Sequence, residues 1–325
     1  MDGFPNLDLG LPPLQKEGQA YFIAGIELWD WWVEARGQAI AHTVPIAELE
    51  WLLQEVAELD RLALRLGSFQ HQLQIQLKLP LSGLEQLWQQ RLQARVPVQY
   101  LIGRVHWRHF VLRVSPAVLI PRPETEILID LAIAATQLQK PSLETSHWAD
   151  LGTGSGAIAL GLATAFPDGL IHAVDTSTAA LKIAQLNAQQ LNLAEQIQFY
   201  QGSWLEPLHH LKGRFSGIVS NPPYIPSALV PELQPEVAWH EPHLALDGGP
   251  DGLAAIRHLV TQVPDYLKPG GLLLIEMMAG QGPAVLQLLS QQGSYHSIEL
   301  HTDLAGIERF ALAHRRFTDT CLSVI

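Results

Sequence analysis

Short apolar segments of strand length alternate with helical segments through the second half of the sequence, and this alternation constrains the fold more than any other feature. The strand-like segments lie at 148–151, 170–174, 197–200, 218–219, 272–275, 297–300 and 308–313. Helical segments at 157–165 and 177–191 separate the first three of them. The pattern is typical of α/β proteins, in which helices cover both faces of a parallel sheet. It predicts a mainly parallel, seven-stranded sheet whose last two strands pair, with ligands bound beyond the carboxyl ends of the strands.

The first part of the sequence has a helical period. Apolar side chains recur at helical spacing, at Ile46, Leu49, Leu52, Leu53 and Val56 and again at Leu84, Leu87, Trp88 and Leu92. We expect the Leu and Trp residues of this part to form its core, and the alternation at 105–114 predicts a strand pair. The predicted organisation is an extension at 1–19, a helical-bundle domain at 20–96, a connecting β-hairpin at 97–118 and an α/β domain at 119–325.

Charge and cysteine content exclude several classes of protein. The chain has 32 acidic and 20 basic residues and a formal charge of −12, whereas proteins that hold nucleic acid need clustered Lys and Arg. The single cysteine, Cys321, cannot form an internal disulfide and suits a reducing compartment. No signal peptide or membrane-spanning apolar run is visible, and the histidines lack metal-ligand spacing. We expect a cytoplasmic, monomeric protein without a metal, a membrane or stably bound nucleic acid.

A glycine-rich loop follows the first predicted strand of the α/β domain. Glycine accepts positive φ and has no Cβ, so such a loop turns tightly and approaches a ligand closely. The residues expected at a cofactor are Gly152, Thr153, Gly154, Ser155 and Gly156. Asp175 ends the next strand, where an acid either accepts both hydroxyls of a ribose or caps the helix that follows. These features alone fit a nicotinamide dinucleotide, S-adenosylmethionine or a turn without a ligand.

The segment Asn221-Pro222-Pro223-Tyr224 follows the fourth predicted strand and narrows the choice. Two prolines fix two φ angles and keep Asn221 out of the helical region, which makes a stiff, extended loop. An amide nitrogen is a poor nucleophile, and the Asn221 side-chain oxygen and the Pro222 carbonyl can each accept one of its N–H groups. Tyr224 can pack on the flat group and exclude water. This arrangement favours methyl transfer from a sulfonium to a positioned planar nitrogen, and an ordinary Asn-Pro turn is the structural alternative.

The sequence resembles the HemK family, the peptide chain release factor glutamine N5-methyltransferases, which are class I methyltransferases with a Rossmann-like domain. The resemblance covers residues 27–314, and its further motifs lie at 97–103, 119–126, 241–242, 245–246, 248–253 and 303–306. It implies S-adenosylmethionine as the cofactor and a helical N-terminal domain that binds the substrate protein. The implied target is the glutamine of a Gly-Gly-Gln loop in a release factor.

The resemblance also implies roles for individual residues. Residues 152–156 would cradle the amino acid end of the cofactor, Asp175 would bind its ribose and Trp204 would lie near its adenine. Residues 221–224 would hold the glutamine, with Asn221 also at the cofactor. Ser203 stands where many relatives carry an acidic residue before the tryptophan.

Two other functions compete with this interpretation. An adenine-N6 methyltransferase could use the same motif on a flipped base of DNA or RNA, but the acidic balance disfavours it. A non-catalytic scaffold would not need the glycine loop, the acid and the asparagine together. Outside these motifs, Arg122 and Glu124 either shape the pocket entrance or cap a helix, and Glu241 is expected in loop structure and substrate contact.

Overall fold

A computed structural model of the protein describes residues 20–137 and 147–317. The chain divides into two compact units, which are 20–103 and 104–317 within the described residues. The predicted extension at 1–19 and Cys321 lie outside the described residues. The predicted connecting segment at 97–118 has residues in both units, and the domain boundaries stay a prediction.

The first unit is mainly helical. Its elements are β1 (Tyr21–Ile23), α1 (Gly25–Ala41), α2 (Ile46–Ala57), α3 (Arg61–Leu66), β2 (Ile75–Leu77), α4 (Leu81–Gln93) and α5 (Val98–Ile102). The two strands pair antiparallel. The helical prediction is confirmed, and strands of three residues are too short to show a period of two in the sequence.

One apolar core holds the first unit together. Leu49 and Leu53 of α2 and Leu87 of α4 are fully buried in it, and each such side chain stabilises the fold by about 1.5–3 kcal/mol. The expectation that every leucine here is core is wrong for Leu62, Leu66 and Leu73, which are exposed. Leu62 and Leu66 lie on the short helix α3, which directs Leu64 between them to the core, and Leu73 lies in the bend before β2.

The second unit begins with an antiparallel hairpin of β3 (Arg104–Trp107) and β4 (Phe110–Arg113), which confirms the predicted strand pair. Its other helices and strands are α6 (Ile127–Gln137), β5 (His147–Leu151), α7 (Ala157–Ala165), β6 (Leu170–Asp175), α8 (Thr178–Gln190), β7 (Ile197–Gln201), β8 (Phe215–Ser220), α9 (Pro235–Ala238), α10 (Ala254–Gln262), β9 (Leu267–Glu276), α11 (Gly282–Gln292), β10 (Tyr295–Thr302) and β11 (Glu308–Arg315). Short 3₁₀ turns join several of these elements.

The seven strands from β5 to β11 form one sheet in the order β10-β11-β9-β8-β5-β6-β7. Neighbouring strands from β5 to β9 are parallel, while β11 runs antiparallel to both of its neighbours. The predicted mainly parallel sheet and the pairing of its last two strands are confirmed. The strand order reverses between β5 and β8, and a reversal of this kind opens a crevice at the carboxyl ends of the strands.

A glycine lets β8 pack closely against an aromatic side chain of β5. Gly217 lies beside Trp148 in the parallel register, and Trp148 is fully buried and stacked on Phe166 with ring centroids 4.4 Å apart. A Cβ at position 217 would overlap the Trp148 ring. We expect Gly217→Ala to lower the free energy of unfolding by about 1–3 kcal/mol through overpacking, measured by chemical denaturation.

Gly37→Ala is the matched control for this substitution. Gly37 lies inside α1, and a Cβ there would meet no described atom within 4 Å. Because alanine favours a helix over glycine, this variant should be at least as stable as the wild type. Equal destabilisation of both variants would show that the contact with Trp148 is not the cause.

Candidate active site

Three neighbouring strands bring the parts of the predicted site together. Gly152 follows β5, Asp175 ends β6 and Asn221 follows β8. All three residues line one cavity of about 280 Å³. Gly154, Trp204 and Pro223 also line this cavity. Residues separated in the sequence converge here because parallel strands end at one edge of the sheet.

The glycine loop has the backbone that its sequence predicts. The φ angle is +78° at Gly152, +53° at Gly154 and +86° at Gly156, a region that favours glycine. A Cβ at Gly154 would meet no described atom within 4 Å, so the backbone faces open space there. Gly156 serves packing instead, because a Cβ at this position would lie 3.1 Å from that of Ala184 on α8.

Thr153 and Ser155, the two non-glycine members of the loop, are buried and do not line the cavity. The Thr153 hydroxyl donates to Asp150 Oδ2 over 2.6 Å, and Asn187 Nδ2 donates to the Ser155 carbonyl over 2.8 Å. Burial raises the pKa of Asp150 to about 7, and its Oδ1 has no partner among the described residues. These contacts fix the shape of the loop, and a direct contact of Thr153 or Ser155 with a cofactor stays a prediction.

Asp175 joins the loop to the start of α8. Its Oδ2 accepts the Gly154 N–H and its Oδ1 accepts the Ser177 N–H, each over 2.9 Å. Ser177 itself caps the helix by accepting the Ala180 N–H over 3.1 Å, so the alternative role of Asp175 as the helix cap is wrong. A carboxylate oxygen can accept further hydrogen bonds, and Asp175 borders the cavity where a diol could reach it.

Trp204 contributes an aromatic wall to the cavity. Its φ is +50°, an uncommon backbone conformation for a large side chain. A Cβ at Gly152 would lie 3.7 Å from the Trp204 ring, which shows that the ring lies beside the glycine loop. Gly202 and Ser203 line the cavity next to it. A flat ring near the ends of β6 and β7 offers a surface on which a base can pack.

The segment 221–224 follows β8, which lies on the other side of β5 from β6 in the sheet. Asn221 Nδ2 donates to the hydroxyl of Thr125 over 3.2 Å, and Pro223 lines the cavity. Pro222 is buried. The Tyr224 hydroxyl donates to Glu276 Oε1 over 3.2 Å, and burial raises the pKa of this tyrosine. The structure therefore places Asn221 at the cavity and turns the Tyr224 hydroxyl toward β9.

A family model matches part of the second unit, and known proteins are similar over most of the chain. The methyltransferase small domain family matches residues 130–232. The release factor glutamine methyltransferase of Synechocystis sp. is 53% identical over 292 residues, covering 90% of this chain and 97% of that protein. That of Thermosynechococcus vestitus is 50% identical, covering 90% of this chain and 99% of its own length. The chain belongs to the release factor glutamine methyltransferase family.

A solved structure agrees with the fold of this family. The hMettl16 catalytic domain in complex with a 3′UTR hairpin is 15% identical, covers 73% of this chain and 81% of that chain, and has a TM-score of 0.51. At this identity the likeness concerns the fold alone. The described residues include no helix long and apolar enough to cross a membrane and no group of three or more His, Cys, Asp or Glu that could hold a metal ion.

Membership of the release factor glutamine methyltransferases confirms S-adenosylmethionine as the methyl donor. The cavity wall fits this cofactor in three respects: open backbone at Gly154, a carboxylate at Asp175 and an indole at Trp204. Which residues contact each part of the cofactor is a proposal.

Arg122 and Glu241 hold two loops of this methyltransferase together. Arg122 Nη2 donates to Glu241 Oε1 over 2.6 Å, and the Ile120 N–H donates to Glu241 Oε2 over 3.3 Å. Burial raises the pKa of Glu241, and Arg122 opposes that shift. Glu241 therefore has the expected role in loop structure, while its burial directs it away from a substrate. Its neighbour Pro242 lines the cavity.

Two polar residues next to the motif had no assigned role in the sequence. Thr125 and Glu276 are both buried, and both touch the segment 221–224. The sequence feature that could have identified Glu276 is its position as a single acid directly after the apolar run 272–275, at the carboxyl edge of the sheet. Thr125 lies inside the motif at 119–126, but a threonine before a helix is also common in ordinary turns.

Proposed function

We propose that this protein transfers a methyl group from S-adenosylmethionine to the side-chain amide nitrogen of the glutamine in the Gly-Gly-Gln motif of a peptide chain release factor. The observation that carries the proposal is the position of Asn221 at the cavity, with Nδ2 held by Thr125 and Oδ1 left as an acceptor. The similarity to release factor glutamine methyltransferases of the family extends over almost the whole length of those proteins.

The chemistry of the target explains why an acceptor is needed. The lone pair of an amide nitrogen is conjugated with its carbonyl, so the nitrogen attacks slowly unless it is held in line. Asn221 Oδ1 accepts one N–H and the Pro222 carbonyl accepts the other, which fixes the nitrogen and favours electron density on it. The cofactor supplies a methyl group on a positively charged sulfur. The new N–C bond forms as the S–C bond breaks, and the nitrogen then releases one proton to solvent, so no strong base is required.

The glycine loop and the end of β6 hold the cofactor in this proposal. The backbone at Gly152 and Gly154 approaches its amino acid end, and Asp175 accepts the ribose hydroxyls. Trp204 packs against the adenine. Ser203 can offer a hydroxyl to the adenine amino group in place of the acid that many relatives carry. Thr153, Ser155 and Gly156 keep the loop in the required conformation.

The first unit and the cellular setting complete the proposal. We assign the helical-bundle domain predicted at 20–96 to binding of the release factor. The protein acts as a monomer in the cytoplasm, without stably bound nucleic acid or membrane, and its formal charge of −12 suits a partner that is basic or neutral at the contact.

Methylation of a purified release factor tests this function. Incubation with S-adenosylmethionine should add one methyl group to the intact release factor, and peptide mapping should place it on the Gly-Gly-Gln glutamine. A release factor with asparagine in place of that glutamine is the control and should stay unmodified. Methylated adenine in DNA or RNA, with an unchanged release factor, would favour the adenine-N6 alternative instead.

A further inference from the structure

Two hydrogen bonds link the segment 221–224 to a buried threonine and to a buried acid on the sheet. Asn221 Nδ2 donates to Thr125 Oγ1 over 3.2 Å. The Thr125 hydroxyl lies near the Glu276 carboxylate and influences its pKa. Glu276 Oε1 accepts the Tyr224 hydroxyl over 3.2 Å, whereas Glu276 Oε2 is buried without a hydrogen-bond partner among the described residues. Thr125 is 4% exposed and Glu276 is 1% exposed, so water does not compete for these bonds. Tyr224 is thus bonded to this carboxylate, and Asn221 is bonded to the threonine beside it.

The direction of these bonds determines which way the Asn221 amide faces. A hydroxyl has one hydrogen. Glu276 Oε2 is buried without a donor in the part of the chain that the structure describes, and an ionised carboxylate can only accept, so the hydrogen of Thr125 is best directed to Glu276. Thr125 therefore presents a lone pair to Asn221, which only the NH₂ end of the amide can satisfy. A reversed amide would set two acceptors against each other in a buried site, at the cost of an unmade hydrogen bond. Oδ1 is thereby left for another donor.

The surroundings of Glu276 allow this carboxylate to ionise near neutral pH. Burial raises its pKa to about 7, while the nearby Thr125 hydroxyl, the hydrogen bond from Tyr224 and the charge of Arg309 lower it. Glu124 faces it with a like charge and raises the pKa. Arg309, on β11, also pairs with Asp303 over 2.9 Å and shares its charge.

We propose that Thr125 and Glu276 are positioning residues that hold the Asn221 amide with Oδ1 directed to the substrate nitrogen. This inference rests on the proposed function of Asn221 and extends it to two residues that touch neither substrate nor cofactor. When Glu276 gains a proton it can donate to Thr125, and the Thr125 hydrogen becomes available to Asn221 Oδ1. The Asn221 amide can then turn and present its NH₂ group to the substrate. This NH₂ group repels the substrate N–H groups, from which Oδ1 would otherwise accept a hydrogen bond.

Substitutions at Thr125 give the direct test. Thr125→Val removes the hydroxyl with little change in shape and should lower kcat by up to about 100-fold, because the acceptor is no longer aimed. The Kd of S-adenosylmethionine, measured by calorimetry, should stay unchanged, and Thr125→Ser should restore most of kcat. Thr136→Val is the matched control, since Thr136 is also buried but bonds the carbonyls of its own helix. A Thr125→Val enzyme with the kcat of the control would overturn the inference.

The pH dependence of kcat gives the second test, at saturating cofactor and release factor. In the wild type, kcat should be highest above pH 7 and fall as the pH drops through about 7 and Glu276 is protonated. Glu276→Gln cannot ionise and should show a low kcat without this fall between pH 6 and 8. Asp150 also has a pKa of about 7, so an unchanged pH profile in Glu276→Gln would assign the fall to Asp150 and refute the role of Glu276.

An NMR measurement on the wild-type protein tests the inference even if a variant does not fold. The NMR signals of the Asn221 side-chain NH₂, assigned by comparison with Asn221→Asp, should shift as the pH falls through about 7. Signals that stay constant over this range would overturn the inference. A wild type that leaves the release factor unmethylated refutes the proposed function, whereas an active wild type with a fully active Thr125→Val variant refutes this inference alone.

Discussion

Replacing Asn221 with alanine is expected to lower kcat by about 100- to 1000-fold, the usual effect of removing one positioned hydrogen bond at a reacting group. The amide nitrogen of the substrate loses the acceptor on one N–H and is no longer held toward the methyl group. The Kd of S-adenosylmethionine should change little, because the glycine loop, Asp175 and Trp204 are intact. Steady-state kinetics on a release factor, with calorimetry for the cofactor, would measure both quantities.

Asn221→Asp separates the acceptor from the donor at this position. The aspartate keeps an oxygen for the substrate but loses the NH₂ group that donates to Thr125, so it should recover only part of the lost kcat. Both variants should retain the wild-type melting temperature within a few degrees, since Asn221 is only partly buried. A collapse of cofactor binding in Asn221→Ala, with kcat preserved, would show that the residue serves the cofactor and not the substrate.

The fold follows from the sequence because its main signals are local. Most apolar segments of the sheet are long enough to show strand character, and helices separate the first three of them in the order that a parallel sheet needs. The region 225–247 is different, since it holds short turns and the four-residue helix α9. Elements of that length contain too few residues for a hydrophobic period to appear. The prolines of this region indicate turns, but nothing in the sequence gives the position of the short helix.

The site was predictable where one short segment carries its chemistry. The glycine loop, Asp175 and Asn221 each follow a strand, and parallel strands bring their carboxyl ends to one edge. Thr125, Glu276 and the pair of Arg122 with Glu241 depend on contacts between distant segments. The bond from Asn221 to Thr125 spans 96 positions and that from Tyr224 to Glu276 spans 52, and no spacing rule marks either one.

The roles within the glycine loop also needed the structure. A pattern of glycines shows that the backbone must turn, but it does not show which residues face the ligand. Gly154 faces open space, whereas Gly156 is required by α8, and Thr153 turns its hydroxyl to Asp150. The cavity and the packing of α7 against α8 therefore use different members of the loop, while contact of all five residues with the cofactor stays a prediction.

Replacing Asp175 with alanine is expected to raise the Kd of S-adenosylmethionine by at least about 100-fold. A hydrogen bond to a charged group is worth about 1.5–3 kcal/mol, and two ribose hydroxyls would lose their acceptor. The loop would also lose the bond from the Gly154 N–H that joins it to β6. Calorimetric titration with the cofactor measures the change, and kcat at saturating cofactor should fall much less than in Asn221→Ala, because the acceptor for the substrate remains.

Two further variants test whether the Asp175 carboxylate itself causes the weaker binding of S-adenosylmethionine. Asp168→Ala removes an exposed acid from the turn before β6 and should leave the Kd unchanged. Asp175→Asn keeps one acceptor oxygen without the charge, so its Kd should lie between those of the wild type and Asp175→Ala. If all three variants bind the cofactor like the wild type, the carboxylate only shapes the loop. A raised Kd in the Asp175 variants and a lowered kcat in the Asn221 variants would instead establish that the end of β6 binds the cofactor and the end of β8 positions the glutamine. The two roles can be separated because the strand order reverses between β5 and β8, which places these two strand ends on opposite sides of β5.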